Sequence, residues 1–182
     1  MKEIAFEGID NVGKTSVSTY IADKLRCEGK RVHVATPFHD TAVTGGELYD
    51  LFTEGPTAAV KATALLQEGI DKARTAAVSA DADYLLFDRH WMTAKIMAPD
   101  LELEQGIKPA TVLLISGTRD LRSMTDDEPW STVEQLNAYQ QAYKKLAACN
   151  FSTMLGVYVV ENPPHDIAAV AETIMWDERI LR

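Results

Sequence analysis

The segment that most restricts what this chain can fold into lies near its start. Gly8-Ile9-Asp10-Asn11-Val12-Gly13-Lys14-Thr15 fits the pattern G-x-x-x-x-G-K-[ST] at every fixed position. A short segment, residues 2–6, ending in the apolar Ile4-Ala5-Phe6 precedes it, and beyond Lys14 the residues Val17, Ile21 and Leu25 recur every fourth position. The predicted order is strand, loop, helix, which is the context the pattern needs. Its glycines let the backbone curl with N–H groups pointing inward, and a helix beginning near Gly13 turns the positive end of its dipole toward a bound phosphate. Lys14 then reaches for the β and γ phosphates of a nucleoside triphosphate, Thr15 offers a hydroxyl to Mg²⁺, and Ser16 serves a phosphate oxygen nearer the base. Gly8, Asp10, Asn11, Val12 and Gly13 complete the expected ATP cradle.

The rest of the chain alternates strands and helices. Gly29 is a suitable stop for the first helix, and residues 31–35 form a strand with Val32 and Val34 inward. Residues 36–44, with Pro37 and no periodicity, read as a loop, and residues 45–52 as a short helix ended by Gly55-Pro56. Residues 57–80, rich in Ala, Leu and Gln, predict the longest helix despite Gly69. Residues 84–87 and 110–115 are continuous apolar runs of the kind found in strands buried on both faces. After Gly117 a polar stretch, about 117–130, is expected to be a mobile flap. Ser131 and Glu134 fit a capping box for a helix running through Leu136, Tyr139, Tyr143 and Leu146. A last strand at 157–160 and a last helix at 166–176 complete a parallel α/β sheet, whose ligands belong at the carboxyl ends of its strands. With no internal repeat and no linker, residues 1–182 read as a single domain.

Composition limits the partners. The 182 residues are 46% hydrophobic and 25% charged, ordinary values for a globular core that needs neither metal nor disulfide. A net charge of -9 makes the average surface repel nucleic acid and anionic lipid. No apolar run approaches the ~20 residues of a membrane span, and the start MKEIAFEG carries no apolar signal segment, so the expectation is a soluble, cytoplasmic protein without a membrane partner. Cys27 and Cys149 have no metal-ligand spacing and are expected to be packing residues in a reducing compartment.

A second motif follows the third strand. Tyr84-Leu85-Leu86-Phe87-Asp88 is four apolar residues and a carboxylate, which puts an acid at the carboxyl edge of the sheet beside the phosphate loop. Asp88 is then available to hold Mg²⁺ through water or to orient the attacking oxygen.

Taken together, Phe6-Glu7-Gly8-Ile9-Asp10-x-x-Gly13-Lys14-Thr15 and Asp88-Arg89-His90 after a strand resemble the thymidylate kinase family of nucleoside monophosphate kinases. The resemblance implies a three-layer α/β/α P-loop kinase fold, with a parallel five-stranded sheet flanked by helices. It implies further that Lys14 and the loop amides bind ATP, that Asp10 contacts the sugar hydroxyl of the acceptor, and that Arg89 clamps the acceptor phosphate. Asp88 would lie near the metal and the transferred group, and Arg119 and Arg122 would be brought onto the phosphates by a lid. Such a transfer through a loose transition state needs mainly alignment and positive charge, which a Lys, a few Arg and Mg²⁺ supply. A homodimer packed through helices is also implied, with the exposed faces of the long helix and of residues 91–97 as candidate contacts.

Departures from the family pattern fall where the base should be read. The arginine usual in the segment after the second strand is missing from Ala35-Thr36-Pro37-Phe38, and the aromatic and Arg of the long helix do not align with Leu65 to Arg74. Gln67 is a candidate for a base edge, Arg74 or Lys72 for the missing arginine, and Phe38, Tyr49 or Trp91 for a stacking ring. Met97 stands where the family has an aromatic. The expected activity is phosphoryl transfer from ATP to a pyrimidine deoxynucleoside monophosphate, dTMP first. The alternative acceptor is a nucleoside, or a modified pyrimidine in DNA gripped by a local basic groove of Arg74, Arg89, Arg119 and Arg122. A switch without phosphoryl transfer is a third reading, but the guanine-reading N-K-x-D motif does not occur.

Overall fold

The computed structural model describes residues 1–99, 109–116, 132–150, 156–162 and 166–181. Among them five strands form one parallel sheet: β1 (Lys2–Glu7), β2 (Val32–Ala35), β3 (Tyr84–Asp88), β4 (Ala110–Ile115) and β5 (Val157–Glu161). Their order across the sheet is β2-β3-β1-β4-β5, so β1 lies at the centre and its carboxyl end opens between β3 and β4. The register pairs Phe6 with Asp88. That pairing alone brings the end of the second motif beside the start of the first.

Helices cover both faces of the sheet, the arrangement of a three-layer α/β/α fold. Ile4, Phe6 and Leu86 pack with Val17 and Ile21 of α1 (Lys14–Cys27) and with Val170 and Ile174 of α6 (Ile167–Trp176). Alternation sends Ala5, Leu85 and Phe87 to the opposite face, where they meet α2 (Gly45–Thr53) and α3 (Pro56–Ser79) through Leu48, Phe52, Leu66 and Ile70. On that face too lie α4 (Trp91–Met97), whose Trp91 Nε1 donates to Thr111 Oγ1 at 3.1 Å, and α5 (Val133–Asn150). A short α7 (Glu178–Leu181) closes the described chain, and the Tyr84 hydroxyl donates to its Leu181 carbonyl at 3.2 Å.

Helix ends follow local chemistry. Past α1 the chain turns at Gly29, φ 81°, where Lys30 N–H returns to the Leu25 carbonyl at 3.0 Å. Thr44 and Glu47 form a reciprocal capping box on α2, Pro56 opens α3, and the Asp166 side chain accepts from Ala169 N–H to cap α6. Gly69 is more than a tolerated break. A Cβ there would lie 2.6 Å from the Pro37 carbonyl oxygen, so its absence lets α3 press against the loop after β2.

Several expectations are corrected. The capping box of α5 is shifted one residue: Thr132 Oγ1 accepts from Gln135 N–H at 3.1 Å, and Gln135 Oε1 accepts from Thr132 N–H at 3.0 Å. Cys27 and Cys149 are exposed rather than packed. The candidate contact face at 91–97 is mostly internal, because Trp91, Met92, Thr93 and Ala94 are buried within the chain itself. The flap at 117–130 lies outside the described residues. Among the described residues no helix is long and apolar enough to cross a membrane.

Candidate functional site

The loop that matches the phosphate-binding pattern, residues 8–15, is shaped by glycines at its two ends. Gly8 has φ 139°, and a Cβ on it would lie 2.4 Å from the Leu114 carbonyl oxygen, so β4 leaves no room for any other residue. Gly13, φ 94°, forms the cap of α1 and provides no side-chain acceptor, and the first turn of α1 holds no acidic residue. The first N–H groups of α1 therefore keep their donors for a ligand, with the helix dipole behind them. Asn11, Gly13, Lys14, Thr15 and Ser16 line an open recess of about 220 Å³ at this point. From the far side Asn162, buried after β5, donates through Nδ2 to the Val12 carbonyl at 2.5 Å and clamps the loop.

Lys14 lies inside this loop with its Nζ on the Ile9 carbonyl at 2.7 Å. Burial, and then the nearby Arg89 charge, lower its pKa to about 7. Beside it the Thr15 hydroxyl donates to Asp88 Oδ2, joining the first motif to the second across the β1–β3 pairing. Among the described residues no group of three or more His, Cys, Asp or Glu side chains is positioned to hold a metal ion. The donor set of one hydroxyl and one carboxylate instead suits Mg²⁺, which keeps most of its ligands as water and phosphate oxygens.

Arg89 occupies the turn after β3 in a left-handed conformation, φ 67°. Its N–H extends the sheet by bonding to the Phe6 carbonyl at 2.9 Å, and its guanidinium folds back over the loop. There Nη2 is ion-paired with Asp10, and Nη1 donates to the Gly8 carbonyl at 3.1 Å. The ring of Tyr49, whose hydroxyl burial pushes up to about 12, lies 6.0 Å from the guanidinium and stacks on Phe38 at 5.4 Å.

Other expected acceptor contacts lie elsewhere. Phe38 is fully buried between Tyr49 and Phe52 in the core under α2 and α3. Arg74 does not approach the loop: its guanidinium grips Glu3, with Nε to Oε1 at 2.9 Å and Nη2 to Oε2 at 2.8 Å. Glu3 is four residues upstream of Glu7 on β1, which puts Arg74 about 13 Å back from the carboxyl edge. Gln67 is exposed and donates to Asp71, one turn along α3, and Lys72 pairs with Glu68. Trp91 is a core residue, and His90 packs edge-on against Phe87 with ring centroids 4.9 Å apart. Arg119 and Arg122 lie outside the described residues.

Two residues had no role in the sequence reading. Glu7, fully buried at the end of β1, accepts from His90 N–H and Met92 N–H at 2.9 Å each and from the Thr93 hydroxyl at 2.6 Å. Tyr143 of α5 reaches the same place, with its hydroxyl 2.6 Å from Thr93 Oγ1. Burial pushes the pKa of both groups up. A carboxylate at the last position of a buried strand was a usable signal for Glu7. Nothing local distinguished Tyr143 from the other tyrosine of its helix.

No protein-family model matches the chain, and no similar sequence is found among curated proteins.

Proposed function

We propose that the chain is a P-loop kinase of the thymidylate kinase type, transferring the γ-phosphoryl group of ATP to a pyrimidine deoxynucleoside monophosphate, with dTMP as the first candidate. The observation that carries this reading is the convergence, at the carboxyl edge of β1 and β3, of Lys14, an uncapped helix start, the Thr15–Asp88 pair and Arg89. An acceptor phosphate oxygen attacks the γ phosphorus, the bond from that phosphorus to the β–γ bridging oxygen breaks, and ADP and a nucleoside diphosphate leave. Lys14 and the α1 amides stabilise the negative charge on the donor phosphates, while Arg89 aligns the acceptor phosphate with them. Thr15 and Asp88 would hold Mg²⁺, which supplies further neutralisation of the phosphate oxygens.

A phosphate-bearing small acceptor is favoured over DNA by the placement of Arg74. Its charge is matched by Glu3, which removes one of the four arginines that a basic groove would require. The test is a coupled ADP-release screen over nucleoside monophosphates, nucleosides and oligonucleotides. ADP release that depends on dTMP or a related monophosphate, and that is lost in Lys14→Ala and Arg89→Ala, is expected. Release only with oligonucleotides, or with no acceptor at all, overturns the proposal.

A further inference from the structure

Beneath Arg89 lies a buried polar chain that phosphate binding does not itself require. Its order is decided by counting protons. A threonine hydroxyl has one proton and two lone pairs. With Glu7 as the carboxylate, the form that the Arg89 charge and the His90 and Met92 N–H groups on Oε1 favour, the Thr93 proton goes to Glu7 Oε2 at 2.6 Å. The Tyr143 hydroxyl, 2.6 Å from Thr93 Oγ1, must then be the donor in that contact. Its lone pairs are left to face Arg89 Nη1 at 3.4 Å, and Arg89 Nη1 also reaches Thr93 Oγ1 at 3.4 Å. The chain therefore runs in one direction, from Arg89 to Tyr143 to Thr93 to Glu7, and each member polarises the next.

The same carboxylate holds the backbone. Arg89 has a left-handed φ of 67°, a conformation that persists only when its surroundings impose it. Glu7 accepts from the N–H of the residue directly after Arg89 and from two further ones, with Thr93 N–H at 3.4 Å as the third. The backbone that follows Arg89 is thus tied to Glu7 directly, and the Arg89 side chain through two hydroxyls carried by α4 and α5.

We propose that Glu7, Thr93 and Tyr143 form a positioning device that holds the Arg89 guanidinium toward the phosphate loop. This rests on reading Arg89 as the clamp for the acceptor phosphate. Full-length Thr93→Val, Thr93→Ser and Tyr143→Phe proteins are compared with the parent in two measurements. The first uses no ligand: nitrogen-15 NMR of the Arg89 guanidinium, assigned with Arg89→Lys. Resolved Nη protons in the parent, averaged in Thr93→Val and Tyr143→Phe and restored in Thr93→Ser, are expected. The second is steady-state kinetics, in which Thr93→Val and Tyr143→Phe raise KM for dTMP about tenfold and leave KM for ATP within about twofold. Should Thr93→Val not fold, Tyr143→Phe supplies the same comparison. Guanidinium signals that stay unchanged in the folded variants, or equal rises in both KM values, overturn the device. If the parent phosphorylates no monophosphate, the proposed function fails and the guanidinium signals alone decide this inference.

Discussion

The carboxylate of Asp10, inside the phosphate loop, is ion-paired with the guanidinium of Arg89 at the turn after β3. Each group is thereby held by the other in the protein without ligands, and an acceptor phosphate that binds Arg89 must share or replace Asp10. Replacing Asp10 with Asn removes the charge and keeps the size. Because Asp10 is 44% exposed, the stability loss is expected to be only about 1 kcal/mol by urea denaturation. If Asp10 also meets the acceptor sugar, KM for dTMP rises about fivefold in the same variant. An unchanged KM removes Asp10 from the acceptor site.

Lys14 would make the proposed ATP binding depend on pH. Its pKa is lowered to about 7, so it is charged below that pH and increasingly neutral above it. ATP affinity measured by calorimetry is therefore expected to weaken as pH rises through about 7, with a proton taken up on binding above it. Stability moves the other way. The unfolded chain keeps this proton up to 10.5 and the folded one does not, so the contribution of Lys14 to stability rises between about 7 and 10.5 and is least favourable below. Lys14→Met should abolish ATP binding, leave the unfolding midpoint unchanged or higher at about pH 6, and flatten this pH dependence. A lower midpoint at that pH contradicts the burial penalty.

Gly69 sets helix propensity against packing. Gly to Ala inside a helix ordinarily gains about 1 kcal/mol. Here the added methyl would lie 2.6 Å from the Pro37 carbonyl oxygen, and overpacking of that kind costs about 1–3 kcal/mol. Gly69→Ala is accordingly expected to lower the thermal midpoint. A raised midpoint would mean that the loop after β2 yields easily.

Arg74 provides a separation of roles. Its paired hydrogen bonds to Glu3, with 28% of its side chain exposed, give Arg74→Ala an expected stability loss of about 1 kcal/mol. Its distance from the loop predicts an unchanged KM for dTMP. A several-fold rise in that KM without loss of stability would return Arg74 to the acceptor site.

Asn162 tests how firmly the loop is held. Asn162→Ala removes the donor to the Val12 carbonyl and is expected to weaken ATP binding about fivefold, while KM for the acceptor changes less. Equal effects on both substrates would place the disturbance beyond the loop.

Much of the fold was legible because its signals are local. All five strands were marked to within a residue, β3 and β4 by the continuous apolar runs of strands buried on both faces and β2 by the alternation of Val32 and Val34. The long helix was predicted to within a residue at each end, and Gly29 marked the end of α1. The short helices α4 and α7 were not predicted as elements, because one or two turns leave no period to detect and are held by what surrounds them. Thr132 caps α5, one residue beyond the expected position, because adjacent Ser and Thr offer the same chemistry and only the path of the chain selects one.

The sequence by itself determined the loop from Gly8 to Thr15, the acid at the end of β3, and the alternation of strands and helices. Each is written in neighbouring residues, through a backbone angle only glycine tolerates or a repeat of side-chain character. What only the tertiary structure decided was who pairs with whom. Asp10 meets Arg89 across 79 positions, Glu7 the backbone of His90 across 83, Arg74 the carboxylate of Glu3 across 71, and Asn162 the Val12 carbonyl across 150. A charged side chain can reach any of several partners in an extended chain. Sheet register and helix packing leave it one, and they turned an expected acceptor-binding arginine into a brace on β1 and an unassigned glutamate into the support of Arg89.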